Sequence, residues 1–104
     1  MKEFKVSIAP LAQQDMRSIR RYISETLKEP AAAKRVYESI KTAVLSLGKT
    51  PLRNPIVRDE PYATLGIRTL HAENYAAFYL VDEPKAQVHI IRVLYSRREW
   101  QDLL

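Results

Sequence analysis

The 104-residue sequence contains no cysteine. That excludes disulfides, thiolate metal sites and a cysteine nucleophile, and it fits a reducing cytosol. No apolar run approaches the roughly 20 residues that a membrane-spanning helix needs, and the opening MKEFKVSIAP is too short and too polar for a secretion signal. Nor is any segment depleted enough in apolar residues to suggest disorder, because 46% of the chain is hydrophobic and 28% is charged. A soluble, cytoplasmic protein is expected, and the length predicts a single domain over residues 1–104 with one core.

What the chain does have is positive charge. Seventeen Lys and Arg against twelve Asp and Glu give a net charge of +5 and a pI near 9.6. Such a balance favours a polyanionic partner such as nucleic acid, a ribosome or an acidic protein, although net charge speaks to association rather than to fold.

The chain is organised around its last third. Tyr75 to Val81 and Gln87 to Tyr95 are rich in aromatic and β-branched residues and are separated by the polar turn Asp82-Glu83-Pro84-Lys85, which reads as a β-hairpin. Ile67 to His71 precedes them across Ala72-Glu73-Asn74, a loop short enough to force antiparallel neighbours. In the first hairpin strand Tyr75, Ala77, Tyr79 and Val81 share one face, and Ala76, Phe78 and Leu80 share the other. Both faces are apolar. One must cover the helices, while the other is hidden by the chain's own tail or open to a partner; it is read as a partner site.

Upstream, Phe4 to Ile8 alternates apolar and polar residues and predicts a strand, after which Pro10 suits a first helical position. Ala12, Met16, Ile19, Ile23 and Leu27 recur at steps of three and four, a core stripe with Tyr22 at its edge. Asp15, Arg17, Arg20, Arg21 and Lys28 lie mostly off that stripe, as a solvated flank or a binding patch. Pro30 breaks the helix and can open a second one, whose stripe is Ala33, Val36, Tyr37, Ile40, Val44 and Leu47. Gly48 is expected as its left-handed terminator. Lys49 to Thr64, with Pro51, Pro55 and Pro61, reads as a loop without a regular element. The expected fold is α+β, in the order β-α-α-β-β-β: a small antiparallel sheet carrying a helical hairpin, with the first strand paired beside one of the last three.

At this point the sequence resembles a known group. Tyr22-Ile23 in the helical hairpin, Arg58-Asp59-Glu60, Gly66-Ile67-Arg68, Asn74-Tyr75, Phe78-Tyr79-Leu80-Val81-Asp82 and Arg92-Val93-Leu94-Tyr95-Ser96-Arg97-Arg98 are similar to the RelE/ParE toxin superfamily. The resemblance implies the toxic half of a type II toxin-antitoxin pair, a growth-arresting, plasmid-stabilising protein silenced by a cognate antitoxin. RelE-like members cut messenger RNA in the ribosomal A site, and ParE-like members inhibit DNA gyrase.

RNA cleavage through the 2′-hydroxyl needs a base, an acid and cations for the phosphorane charge. The RelE-like nucleases resembled here place an arginine after the tyrosine that opens the hairpin, and lysines on the preceding strand. This chain has Ala76 at the first position, Ile67 and Thr69 at the others, and Ser96 in place of a further arginine beside Arg97 and Arg98. The set is mostly missing, which leans toward a ParE-like gyrase inhibitor. The alternatives are a metal-independent, ribosome-dependent mRNA endoribonuclease, or a decayed toxin that only binds its antitoxin.

The residues that could still act are His71 as a base, with Tyr95, Arg97 and Arg98 beside it as catalytic candidates. Arg68, Arg92 and Trp100 are candidates for target or nucleic-acid binding, and Ala76, Phe78 and Leu80 for antitoxin binding. Each also has a plain reading: His71 a surface polar residue, Tyr95 half-buried core, Trp100 a clamp over the sheet edge. No cofactor or metal is expected.

Overall fold

The computed structural model of the chain describes residues 3–97, 100, 101, 103 and 104. Strand β1 (Lys5–Ile8) leads through Ala9 into helix α1 (Pro10–Arg21), which starts on Pro10 where a missing N–H breaks no helical bond. A π-helical turn, Tyr22–Thr26, prolongs α1, and the Leu27 N–H donates to the Tyr22 carbonyl five residues back. Helix α2 (Pro30–Leu45) comes next and tightens into a 3₁₀ turn, Ser46–Gly48. Then come a short helix α3 (Tyr62–Leu65) and strands β2 (Arg68–Ala72), β3 (Tyr75–Asp82) and β4 (Gln87–Tyr95).

The sheet runs in the order β1-β4-β3-β2. The three C-terminal strands form the expected antiparallel meander, but β1 pairs parallel to β4, so the sheet is mixed rather than wholly antiparallel. The two helices carry the chain from β1 to β2 at the opposite edge of the sheet, and β4 then returns beside β1. Between Phe78 and Tyr79 the register of β3 against β4 shifts, and Ile91 is left between Ile90 and Arg92 without a partner. That extra residue is a β-bulge, which locally re-aims the strand.

Alternation along β3 builds the protein in two layers. Ala77 and Tyr79 join Ala12, Met16, Val36, Ile40 and Val44 in the main core between sheet and helices. On the opposite face Ala76 and Phe78, each only 3% exposed, pack with Ile67 and Leu94 beneath Trp100, Leu103 and Leu104. The face expected to be open to a partner is therefore closed by the chain's own tail, which removes an apolar strip too large to leave wet.

Three further expectations are corrected. Residues 49–64 do contain regular structure, namely α3 and an isolated bridge between Ile56 and Arg68. Leu27 is not core but 53% exposed, because the π-helical turn adds a residue to one turn and rotates the next side chains off the buried stripe. Gly48 does not adopt a left-handed conformation; it is buried in the 3₁₀ turn, where a Cβ would stand 2.8 Å from the Phe4 carbonyl oxygen. The left-handed glycine is Gly66, at φ 82°, which ends α3.

The two glycines should respond differently. Gly48→Ala is expected to cost about 1–3 kcal/mol through the backbone clash, and Gly48→Asn at least as much. At Gly66, where nothing lies within 4 Å of an added Cβ, asparagine should retain most of the stability that alanine loses, since asparagine tolerates the left-handed region. Urea unfolding of the four variants checks this, and equal tolerance of asparagine at both sites would contradict it.

Candidate functional site

One ion pair fixes the centre of the molecule. The bulge in β4 presents Arg92 to α1, where Nε and Nη2 donate to the two Asp15 carboxylate oxygens at 2.8 and 2.9 Å. Asp15 also accepts the Val93 N–H at 3.0 Å, taking up a backbone donor at the irregularity. The remaining guanidinium nitrogen, Nη1, donates to the Leu103 carbonyl at 2.7 Å and so holds the tail. Both side chains are less than a fifth exposed, and the hydrogen bond to Asp15 pushes the Arg92 pKa up. Arg92 is thereby engaged within the fold rather than presented to a target.

Arg68 is engaged in the same way. Its Nη1 donates to the Asn54 carbonyl, and the Asn54 amide donates to the Tyr79 hydroxyl at 3.2 Å, tying the long loop to the sheet. Trp100 stacks on Phe78, with centroids 4.8 Å apart, and on Tyr62 at 5.2 Å. The Tyr62 hydroxyl donates to the Gln101 carbonyl, and the Gln101 side chain donates to Asp59 at 2.6 Å. The three residues expected to bind a target thus serve as internal fasteners.

Two of the catalytic candidates, His71 and Tyr95, do not share a face of the sheet. His71 is paired with Ala76, and Tyr95 with Tyr75. Because Tyr75 and Ala76 point to opposite faces, so do Tyr95 and His71. His71 is exposed on β2, and Arg97 is exposed in the turn after β4. Arg98 lies outside the described residues.

What the sequence reading missed is an open groove of about 680 Å³ on the helical side of the sheet, between the hairpin and the ends of β3 and β4. Its lining includes Ile19, Tyr22 and Leu27 from the first helical segment, Ala32 and Val36 from α2, and Tyr75, Val93 and Tyr95 from the sheet. Tyr22, Leu27 and Tyr95 are each about half exposed, at 47%, 53% and 45%. Tyr75 meets Tyr95 edge-on at 5.8 Å. Burial first, and then the Tyr22 and Tyr95 phenols, push the Tyr75 pKa above its ordinary 10.0. That phenol is protonated at neutral pH and can donate a hydrogen bond, but it is no general base. Arg35 closes the rim by donating to Glu73 at 2.8 Å, an exposed pair worth little by itself. The only sequence signal for the groove was Tyr22 at the edge of the first helical stripe.

The family model for the ParE toxin of type II toxin-antitoxin systems, parDE, matches residues 6–100. The chain belongs to the ParE toxin family. No curated protein sequence matches it significantly. Among solved structures it is similar to the chromosomal ParDE toxin-antitoxin system from P. aeruginosa, at 20% identity and a TM-score of 0.73 over 91% of this chain and 98% of that one. It is also similar to a RelBE toxin-antitoxin complex from Mycobacterium tuberculosis, at 21% identity and a TM-score of 0.66 over 89% and 98%. A free arginine-substituted E. coli RelE matches at 19% identity and a TM-score of 0.57 over 91% and 85%. At these identities the structures establish a shared RelE/ParE fold, with ParE and RelE members on both sides of the likeness.

The ion pair gives a test of how this ParE family member holds its tail. Asp15→Ala removes the acceptor of three hydrogen bonds and leaves Arg92 uncompensated, an expected loss of about 3 kcal/mol. Trp100 is the only tryptophan, so its emission reports the tail directly. It should shift to the red in the folded variant, and unchanged emission would show that the tail is held without the Asp15 carboxylate.

Proposed function

We propose that this toxin acts by blocking DNA gyrase through surface fit rather than by cutting RNA, and that a cognate antitoxin silences it by laying an amphipathic segment in the groove beside the helical hairpin. The observation that carries the first part is the dispersal of the cleavage candidates: His71 and Tyr95 occupy opposite faces of the sheet, and Arg68 and Arg92 are bound to Asn54 and Asp15. General acid-base cleavage needs its groups within hydrogen-bond reach of one reacting atom. Inhibition by binding has no such requirement. Ala76, at the position where the nucleases resembled in sequence carry an arginine, is buried under the tail. A missing donor of that kind lowers cleavage by roughly a hundredfold or more.

The second part rests on the groove. Tyr22, Leu27 and Tyr95 are large apolar side chains left half exposed around a concave surface. Such a site suits an amphipathic segment anchored at helical spacing. The ParDE and RelBE structures similar in fold are toxin-antitoxin assemblies, which favours a neighbouring antitoxin as the occupant. Ala76, Phe78 and Leu80, the candidates from the sequence, would become available to it only if the tail were lifted.

Two measurements test these readings. Purified protein should inhibit gyrase supercoiling at concentrations that leave A-site messenger uncut in a translating ribosome system, and replacing Arg97 and Arg98 with alanine should abolish the inhibition. Efficient codon-dependent cleavage would overturn the gyrase reading. For the groove, Leu27→Glu should keep growth arrest while weakening neutralisation by the co-expressed antitoxin, with a loss of affinity of roughly tenfold or more, because it places a charge where apolar surface is buried. Full neutralisation of that variant would place the antitoxin elsewhere.

A further inference from the structure

On the outer side of the helical hairpin, away from the apolar groove, α1 presents Arg17, Arg20 and Arg21 within one helical turn. All three are exposed, and they line a shallow depression of about 410 Å³ together with Ser24, Glu25 and Tyr37. The Arg20 guanidinium lies over the Tyr37 ring, 5.3 Å from its centroid, which restrains a side chain that would otherwise be free. Among the described residues the ion pairs are Arg35–Glu73 and Asp15–Arg92. None of the three arginines is neutralised by them, and Glu25 is the one acid in the depression. On α2, Lys34 and Lys41 stand three residues before and four after Tyr37, so they extend the same side.

We infer that this face binds the phosphate backbone of nucleic acid. Guanidinium groups present a planar fork that matches the oxygens of phosphates and carboxylates alike in pairs. Two features favour a phosphodiester over an acidic peptide. The three arginines span about 6 Å along the helix axis at 1.5 Å per residue, short enough for their long side chains to reach successive phosphates of one strand. A protein segment also needs apolar surface to bury, and the large apolar groove lies elsewhere on the hairpin, at Ile19, Tyr22 and Leu27. The inference goes beyond the gyrase reading and does not depend on it.

The test uses the full-length protein and short fluorescent oligonucleotides, with affinity measured by anisotropy across a salt series. Three phosphate contacts predict a slope of log K against log salt of about −2.7, equivalent to a roughly 40-fold loss between about 50 and 200 mM salt. Arg17→Ala, Arg20→Ala and Arg21→Ala should each reduce the slope by about 0.9. Alanine is the best helix former, so the variants should keep the fold, which circular dichroism verifies. Arg53→Ala, on the exposed loop, serves as a control and should leave the slope unchanged. Duplex DNA and RNA arms identify which backbone is preferred, and preference for either supports the inference. It is overturned by no binding at low salt, by variant slopes equal to the parent's, by an equal effect of the Arg53 control, or by tighter binding of poly-glutamate at matched charge. None of these outcomes involves gyrase, so failure here and failure of the inhibition assay are separately visible.

Discussion

The Asp15 carboxylate is the group on which the arrangement depends. It sits on α1, yet it answers two donors that arise only because β4 is bulged, the Arg92 guanidinium and the Val93 N–H. A bulge leaves a ladder position unpaired, and an unpaired backbone donor away from water costs free energy comparable to a lost hydrogen bond. Asp15 meets that need from the helix, so helix and sheet are locked at one register. Arg92 then carries the constraint through the sheet to the Leu103 carbonyl and the tail. A charged pair of this kind adds less net stability than its geometry suggests, because both groups were solvated in the unfolded chain; what it does supply is a single allowed arrangement.

That arrangement determines which surfaces remain for function. With α1 fixed over β4, the helices cover one apolar face of β3, and the tail held by Arg92 covers the other. Trp100 on Phe78 and Tyr62 is therefore part of the second core layer. Arg68 and Arg92 are both engaged in building this frame. Among the described residues, the groove at the end of the hairpin and the basic outer side of α1 stay uncovered, and they are of opposite character on the same pair of helices.

Much of the frame was legible in the sequence, because strands and helices announce themselves by period. The alternation of Tyr75 to Val81 sorted residues into the two faces that the structure shows, and Ala12, Met16, Val36, Ile40 and Val44 sit in the core that their spacing predicted. The features that were not legible depend on partners far away in the chain. Asp15 and Arg92 are 77 positions apart, and neither carries a local signal of the other. Gly48 was read as a terminator because glycine commonly ends helices, but its role is set by the Phe4 carbonyl from the start of the chain. The parallel pairing of β1 could not be read from four alternating residues. The relative placement of the catalytic candidates was not legible for a related reason. Neither His71 nor Tyr95 carries a sequence signal of the face the other occupies, and the sheet's alternation places them on opposite sides.

The two irregularities are both single-residue insertions, and together they make the groove. In β4 the extra residue Ile91 lets Arg92 and Val93 engage α1, which fixes where the Val93 and Tyr95 lining stands. In the first helix the π-helical turn does the same to the helical lining, turning Leu27 out of the stripe while Ile23 stays buried. A regular helix would have carried Leu27 into the core and gained about 1.5–3 kcal/mol of burial. The lone chain forgoes that stabilisation, and keeps Tyr22 and Leu27 half exposed in a concave site instead. An apolar group held out of the core by backbone geometry is surface that only burial against another molecule would stabilise, and here that surface is concave.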